Sequence, residues 1–525
     1  MNPYQRRVFL QHAAWAAAAT ALPRWAWSNP PALQSNPFAL GVASGDPAPD
    51  GVVLWTRLVL ADPAQMQAPH TVRWEVAHDA RFAQIVQKGQ AVASPDLGHS
   101  VHVEVAGLAP DRWYHYRFML GDAVSATGRT RTAPAADVLT QKLRVAFASC
   151  QRWEHGHYAA WRHLVSDEPD LVLFLGDYIY EYATPRNTDG LARTHSLRHA
   201  STLADYRDRY ALYKSDPHLQ AAHAACPWAV TWDDHEVQND YAAEAGRGSD
   251  PAAFGAQRSA GWQAFYENMP LRAASLASAA GGAPWSTLQV FRRLRWGRLA
   301  HIHLLDTRQY RSWQACRQPD TTGAGAVRPA DCPTLADPAR TLLGTAQERW
   351  LDTGLAADAR TTDATRWSVI AQQTLFSARQ YPSGLVPTDS WDGYPAARAR
   401  LLHSVAGHAP RNTVLLGGDI HQNYVCRVQA KPLRTGSPVL ASEFCGTSIS
   451  SRAGTTQDKV NAIARQNPHV LLARPDQRGY GLADITPARW MTTLRVVDDP
   501  LRADSGAAIQ ARFVVDDGHP GPMAA

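Results

Sequence analysis

Long apolar runs, blocks of like charge and internal repeats are all missing from most of this 525-residue sequence. After residue 28 no apolar stretch approaches the roughly 20 residues of a membrane-spanning helix, so the mature chain is expected to have no membrane span. Charged residues amount to only 19%, and Lys and Arg form no long block. That excludes an evident nucleic-acid-binding module. Three units of the +5 net charge belong to Arg6, Arg7 and Arg24 in an acid-free leader, which leaves +2 for the remainder. A Gly-x-Ser-x-Gly elbow and an obvious Ser/His/Asp arrangement are also lacking, so nothing points to a nucleophilic side chain.

What is present suits a globular protein. Hydrophobic residues make up 45%, and the length allows two or more domains with a large core. In the leader, Arg6-Arg7 precede Val8-Phe9-Leu10 and a short Ala-rich stretch. Residues 1–28 read as a twin-arginine signal peptide, with Gln5 and Gln11 in place of the usual Ser/Thr and Lys. A general secretory signal is the alternative. The expected partner is the twin-arginine translocation machinery, and the expected location is periplasmic or secreted. That route carries folded proteins, which suits an enzyme that collects a metal before export.

Of six cysteines, Cys316 and Cys332 flank a polar Gly/Thr/Pro segment and form a plausible surface disulfide. Cys426 and Cys445 end apolar runs and read as buried thiols. Short alternating runs separated by Gly, Pro and Asp turns predict a β-sandwich over residues 36–133. From there the texture becomes α/β. "LRVAFASC", a one-sided helical stretch and "DLVLFLGD" form a βαβ unit, followed by further buried strands and helices. The second domain is placed at residues 140–516.

Four strand ends carry unusual chemistry: Cys150 in "FASCQRW", Asp177 and Tyr180 in "GDYIY", Asp233 to Asn239 in "DDHEVQN", and Asp419 and His421 in "GGDIHQN". Ligands of open α/β sheets bind at the carboxyl ends of strands, and parallel strands would set all four ends on one rim. So many carboxylates in one place require cations. Carboxylate and amide oxygens suit hard divalent ions. A phenol, which ionises unaided near pH 10, and a thiol point instead to a strongly polarising ion such as Fe³⁺.

These motifs, together with "GVASGDPAPDGVVLWTRL", "GWQAFYENMPLR" and "LLDTRQYR", resemble the PhoD-like alkaline phosphatases of the metallophosphoesterase class over residues 36–516. The resemblance implies an N-terminal β-sandwich followed by a metallophosphatase-type α/β sandwich with two central sheets flanked by helices. It implies Cys150 and Tyr180 as Fe³⁺ ligands, Asp177 as a bridge between iron and a divalent ion, and Asp234 and Asn239 as ligands of Ca²⁺, of which two are expected. Asp419 and His421 complete the ligand set without assignment to one ion. His235 matches the position that touches phosphate or leaving group, and Arg152 is placed to hold a phosphate oxygen. Asn239-Asp240-Tyr241 departs from the family's usual Asn-Asn. The implied function is that of a secreted, monomeric, metal-dependent alkaline phosphatase. It would hydrolyse phosphate esters, mono- and diesters, by metal-activated water. A phospholipase D-like phosphodiesterase and a non-catalytic cell-envelope binding protein are the alternatives.

Overall fold

The structure is a computed structural model that describes residues 36–248, 250–276, 285, 288–317, 325–360 and 364–525. The leader expected over 1–28 lies outside the described residues. Among these, strands assemble into a ten-stranded, a seven-stranded and a five-stranded sheet and a two-stranded ribbon.

The centre of the ten-stranded sheet is parallel: Leu143–Ala148, Leu171–Leu175 and Trp228–Thr231 run side by side. Apart from Arg144 and Thr231 their sequences are apolar, because both faces are covered. Alternation nonetheless decides which layer each residue meets. Leu171, Leu173 and Leu175 join Leu143, Val145 and Phe147 in a core shared with the second sheet. Val172 and Phe174 join Ala146 and Ala148 under the helices Ala159–Ser166, Leu203–Lys214, Pro217–Ala225 and Pro251–Asn268. Each such Leu, Val or Phe, fully buried, contributes on the order of 1.5–3 kcal/mol.

The seven-stranded sheet has its own parallel centre, Ala300–Leu304, Trp367–Ala371, Thr413–Gly417 and Val439–Cys445. Its inner face supplies Ile302, Leu304, Val369, Ala371, Val414 and Leu416 to the shared core. Its outer face packs under the helices Gly344–Asp358 and Pro395–His408. Helix, sheet, sheet and helix therefore form four layers. The hairpin Gly479–Ile485 and Arg489–Val497 extends the first sheet antiparallel from Leu143–Ala148. Some helix starts carry side-chain caps, including a Thr202/Asp205 capping box and an Asp216 cap before Pro217, whereas Ala159–Ser166, Gly344–Asp358 and Pro395–His408 have none.

The N-terminal strands lie in two stacked layers, one of them an edge of the ten-stranded sheet. The five-stranded sheet stacks on Val42–Ala48, Gly51–Arg57 and Ser100–Ala106 through Val52, Leu54, Val72, Val76, Val103 and Phe118. Those three strands are the far edge of the ten-stranded sheet, joined by parallel pairing of Gly45 with Trp228. Cys316 and Cys332 form a disulfide, and Cys426 and Cys445 are buried thiols. No helix among the described residues is long and apolar enough to cross a membrane.

Candidate metal centre

The four strand ends do converge, though not from one sheet. Cys150, Asp177 with Tyr180, and the Asp233–Asn239 loop leave three parallel strands of the ten-stranded sheet. Asp419 and His421 leave Thr413–Gly417 of the other. The site is thus a seam between sheets, where both bundles of parallel strands end together.

The chain turns sharply at three of the four ends. Cys150, Asp177, Asp419 and His421 have φ of 60°, 57°, 64° and 56°, a left-handed conformation that costs a side-chain-bearing residue about 1–2 kcal/mol. Four such residues at one place are held by the surrounding hydrogen bonds. The Cys150 and Gln151 amides donate to the Gly176 and Asp177 carbonyls at 3.0 and 3.1 Å. The buried Glu236 carboxylate accepts from the amides of Asp177 (3.2 Å), Tyr178 (2.5 Å) and Asp233 (2.8 Å), tying two strand ends together. Gly176, at φ 106°, allows the approach, since a Cβ there would lie 2.4 Å from that of Asp233.

Two groups of ligand-type atoms overlap on Asp177. A cysteine sulfur, a carboxylate oxygen and an imidazole nitrogen from Cys150, Asp177 and His421 lie within 4.8 Å of one another, and so do ligand atoms of Asp177, Asp234 and His235. Ligands at about 2.0–2.6 Å from one ion fall within that spacing. The Tyr180 hydroxyl sits in the first group, 2.8 Å from Asp177 Oδ2 and 3.2 Å from His421 Nε2, and accepts from Ser451 at 2.8 Å. His421 Nδ1 faces the Arg452 carbonyl at 2.8 Å, which fixes its proton there and turns the Nε2 lone pair inward. His235 Nδ1 lies 2.6 Å from Glu181 Oε2, and the amide of Asn239 donates to Glu181 Oε1 at 3.0 Å. The Arg152 guanidinium lies 5.8 and 5.2 Å from the ring centres of Tyr180 and Tyr182. Asp419 joins through the guanidinium of Arg308, 3.7 Å away.

The electrostatics ask for cations. Burial pushes Asp177 well up, with Asp234, Asp233 and Glu236 adding to it. Burial and the charges of Asp177 and Asp419 push the Cys150 thiol up. Burial, Asp177 and Cys150 do the same to the Tyr180 phenol. Asp419 and Asp240 rise to about 7, chiefly by burial. Burial also works against Asp234, but Arg308, His235 and the Asp240 amide outweigh it and hold that carboxyl low. His421 falls to about 3 by burial, so it is a neutral ligand-type imidazole. Asp177 Oδ1, Asp234 Oδ1 and Asp233 Oδ2 are buried acceptors without a hydrogen-bond partner. Orphaned carboxylate oxygens of this kind are what a bound cation would satisfy, so the residues fit metal binding.

A second His/Asp group behaves differently. Asp358 accepts from His301 Nδ1 (2.5 Å), His303 Nε2 (2.8 Å) and Ser368 (2.6 Å), while Arg293 donates to His303 Nδ1 at 3.3 Å. The guanidinium fixes the His303 proton on Nε2, and the carboxylate is satisfied without an ion.

Sequence reasoning gave no role to several residues here. Arg308 and Glu181 follow buried strands or known motifs, so the strand-end signal could have found both. Asp389, which accepts from Arg308 at 2.9 Å and from Arg311 at 2.7 Å, sits in a polar loop that gave none. Arg209, buried in the helix Leu203–Lys214, donates to the carbonyls of Tyr180 and Tyr182 and so fixes the segment bearing Tyr180 and Glu181.

With that geometry in hand, comparison with known proteins is consistent across the chain. The family model described as PhoD-like phosphatase matches residues 145–494, and that of the PhoD-like phosphatase N-terminal domain matches 24–134. Alkaline phosphatase D of Bacillus subtilis (strain 168) is 41% identical over 531 aligned positions, covering 97% of this chain and 87% of that protein. The solved structure of PhoD superposes with a TM-score of 0.86 at 40% identity, covering 94% of this chain and 93% of that one.

Proposed function

The chain belongs to the PhoD-like phosphatase family, a phosphoric ester hydrolase homologous to alkaline phosphatase D, and from that premise we propose that it is an exported, metal-dependent alkaline phosphatase acting on phosphate monoesters and diesters. The observation that carries the metal reading is the sharing of Asp177 by two ligand groups of different chemistry. Cys150, Tyr180, Asp177 and His421 would hold Fe³⁺, since a thiol and a phenol raised this far ionise only beside a strong Lewis acid. Asp177, Asp234, Asn239 and Asp419 would hold Ca²⁺, two ions by the resemblance. Bound there, the cations supply neutralisation of the phosphate oxygens and activation of the attacking water.

The protein's own groups do the rest. Glu181, Asp177 and Asp234 outweigh the cost of burial and raise His235 well above its usual value, which favours a protonated ring serving as an acid beside Asp177 and Asp234 over a third ligand in that group. With Nδ1 committed to Glu181, its Nε2 proton is the one available to the leaving oxygen. Arg152, over Tyr180 and Tyr182, binds a phosphate oxygen. Glu236 and Arg209 hold the strand-end loops in register. Folded export through the twin-arginine route delivers the assembled centre to the periplasm or beyond.

The test is initial rates on p-nitrophenyl phosphate and bis-p-nitrophenyl phosphate at alkaline pH with calcium, before and after chelation. Loss of both rates on chelation and recovery with calcium is expected, and chelator-resistant activity would remove the metal reading. A faster diester would move the assignment to the phosphodiesterase alternative.

A further inference from the structure

Arg308 is one of the largest fully buried side chains, and it lies among the acids of the centre. Its Nε contacts Asp233, and its Nη1 is 2.9 Å from Asp389 Oδ1 and 3.8 Å from Asp234 Oδ2. Its Nη2 is 3.7 Å from Asp419 Oδ1. One guanidinium therefore touches acids from three separate chain segments and both sheets. Asp389 is itself held by Arg311 at 2.7 Å. A buried carboxylate group of this density needs positive charge whether or not ions are bound. A planar fork supplies it with fixed directions, which a hydrated ion does not.

We infer that Arg308 is a fixed cation of the centre. It stands where a further divalent ion would otherwise bind, limits how many such ions the acids take up, and sets the spacing of Asp234 and Asp419. The inference rests on the metal reading of the preceding section. Arg308 is a positioning residue, acting through those two aspartates. Asp389 has the opposite influence, since it balances part of the Arg308 charge that would otherwise repel ions nearby.

Two substitutions then shift calcium binding in opposite directions. Arg308→Gln removes the competing charge and is expected to take up about one more calcium per chain, or to bind calcium about tenfold tighter or more. Asp389→Asn leaves Arg308 less balanced and is expected to weaken calcium by a similar factor. Both lose kcat while KM stays within a few-fold. Calcium per chain and its dissociation constant are measured by equilibrium dialysis with elemental analysis, and circular dichroism checks the fold. Weakening of calcium in both variants is the signature of a merely structural salt bridge and overturns the inference, as does unchanged calcium in a folded Arg308→Gln. Should Arg308→Gln not fold, Arg308→Lys decides. It keeps the charge, so wild-type calcium with reduced kcat supports the assignment, and changed calcium or undiminished kcat refutes it. If the unmodified protein itself binds no calcium, the metal reading fails first.

Discussion

Replacing Gly418 by alanine tests the seam between the sheets. A Cβ at this position would lie 2.3 Å from Ser149 Oγ, 2.8 Å from Ser149 Cβ and 3.2 Å from the Gln373 carbonyl. Ordinary contact begins near 3.4 Å, so the Ser149 and Gly418 loops must separate by about an ångström. The backbone at Gly418 is not left-handed, so the methyl group acts by volume alone. Overpacking of this size costs about 1–3 kcal/mol. The larger effect is on chemistry, because Gly418 precedes Asp419 and Ser149 precedes Cys150. An ångström of misplacement in a site costs about 100-fold in rate. The assay is kcat on p-nitrophenyl phosphate, with the denaturation midpoint followed in parallel. Ser149→Gly removes both offending atoms, so the double variant should recover most of the lost rate, a coupling that independent sites would not display. A folded Gly418→Ala enzyme at wild-type kcat would refute the reasoning, and so would a double variant no better than the single one.

Three further outcomes follow from the structure. Asp177→Asn should lose activity and metal together, read as iron and calcium per chain, and full iron with full rate would disprove its shared role. Two buried histidines should lose their contribution well above the carboxylate range. Burial lowers His102 and His303 to about 4, so each contribution is intact above the unfolded value near 6.5 and is lost as pH falls from there to about 4, roughly 3 kcal/mol apiece, while Asp240 and Asp419, raised to about 7, act in the opposite sense; urea midpoints of the parent and of His102→Gln at pH 7.5 and 5 isolate the histidine part, and an equal change in both would contradict it. Deleting residues 36–133 should yield aggregate rather than a free catalytic unit, because it uncovers the edge of Trp228–Thr231 and removes the partner of Glu267, whose carbonyl accepts from Trp55 at 2.9 Å. A soluble monomer by size-exclusion chromatography would count against this.

Much of the site was legible because a buried apolar strand ending in a charged or sulfur-bearing side chain is conspicuous. Cys150, Asp177 and Asp419 each stand within two residues of such a strand. The strands themselves were legible for the same reason. The two central sheets came from the family resemblance and not from the strand pattern, which set all four ends on one rim, and the pairing of Trp228 with Gly45, far upstream, is one that no local pattern announces. The same pairing makes the N-terminal sandwich continuous with the catalytic sheet. Asp389 escaped notice because its importance comes from two arginines that only the tertiary structure brings to it.

The seam also has a consequence in time. Tyr180 meets His421 across 241 residues of chain and Ser451 across 271. At ribosomal speeds those partners emerge on the order of tens of seconds apart. Cys150, Asp177 and Tyr180 are therefore synthesised long before the residues that close around them, and contacts of such long range form late in folding. A nascent chain carrying Cys150, Asp177 and Tyr180 still lacks His421 and Ser451, so on the proposed metal reading its ligand set is incomplete. On that reading ion selection would fall to the finished polypeptide and to the solution that bathes it.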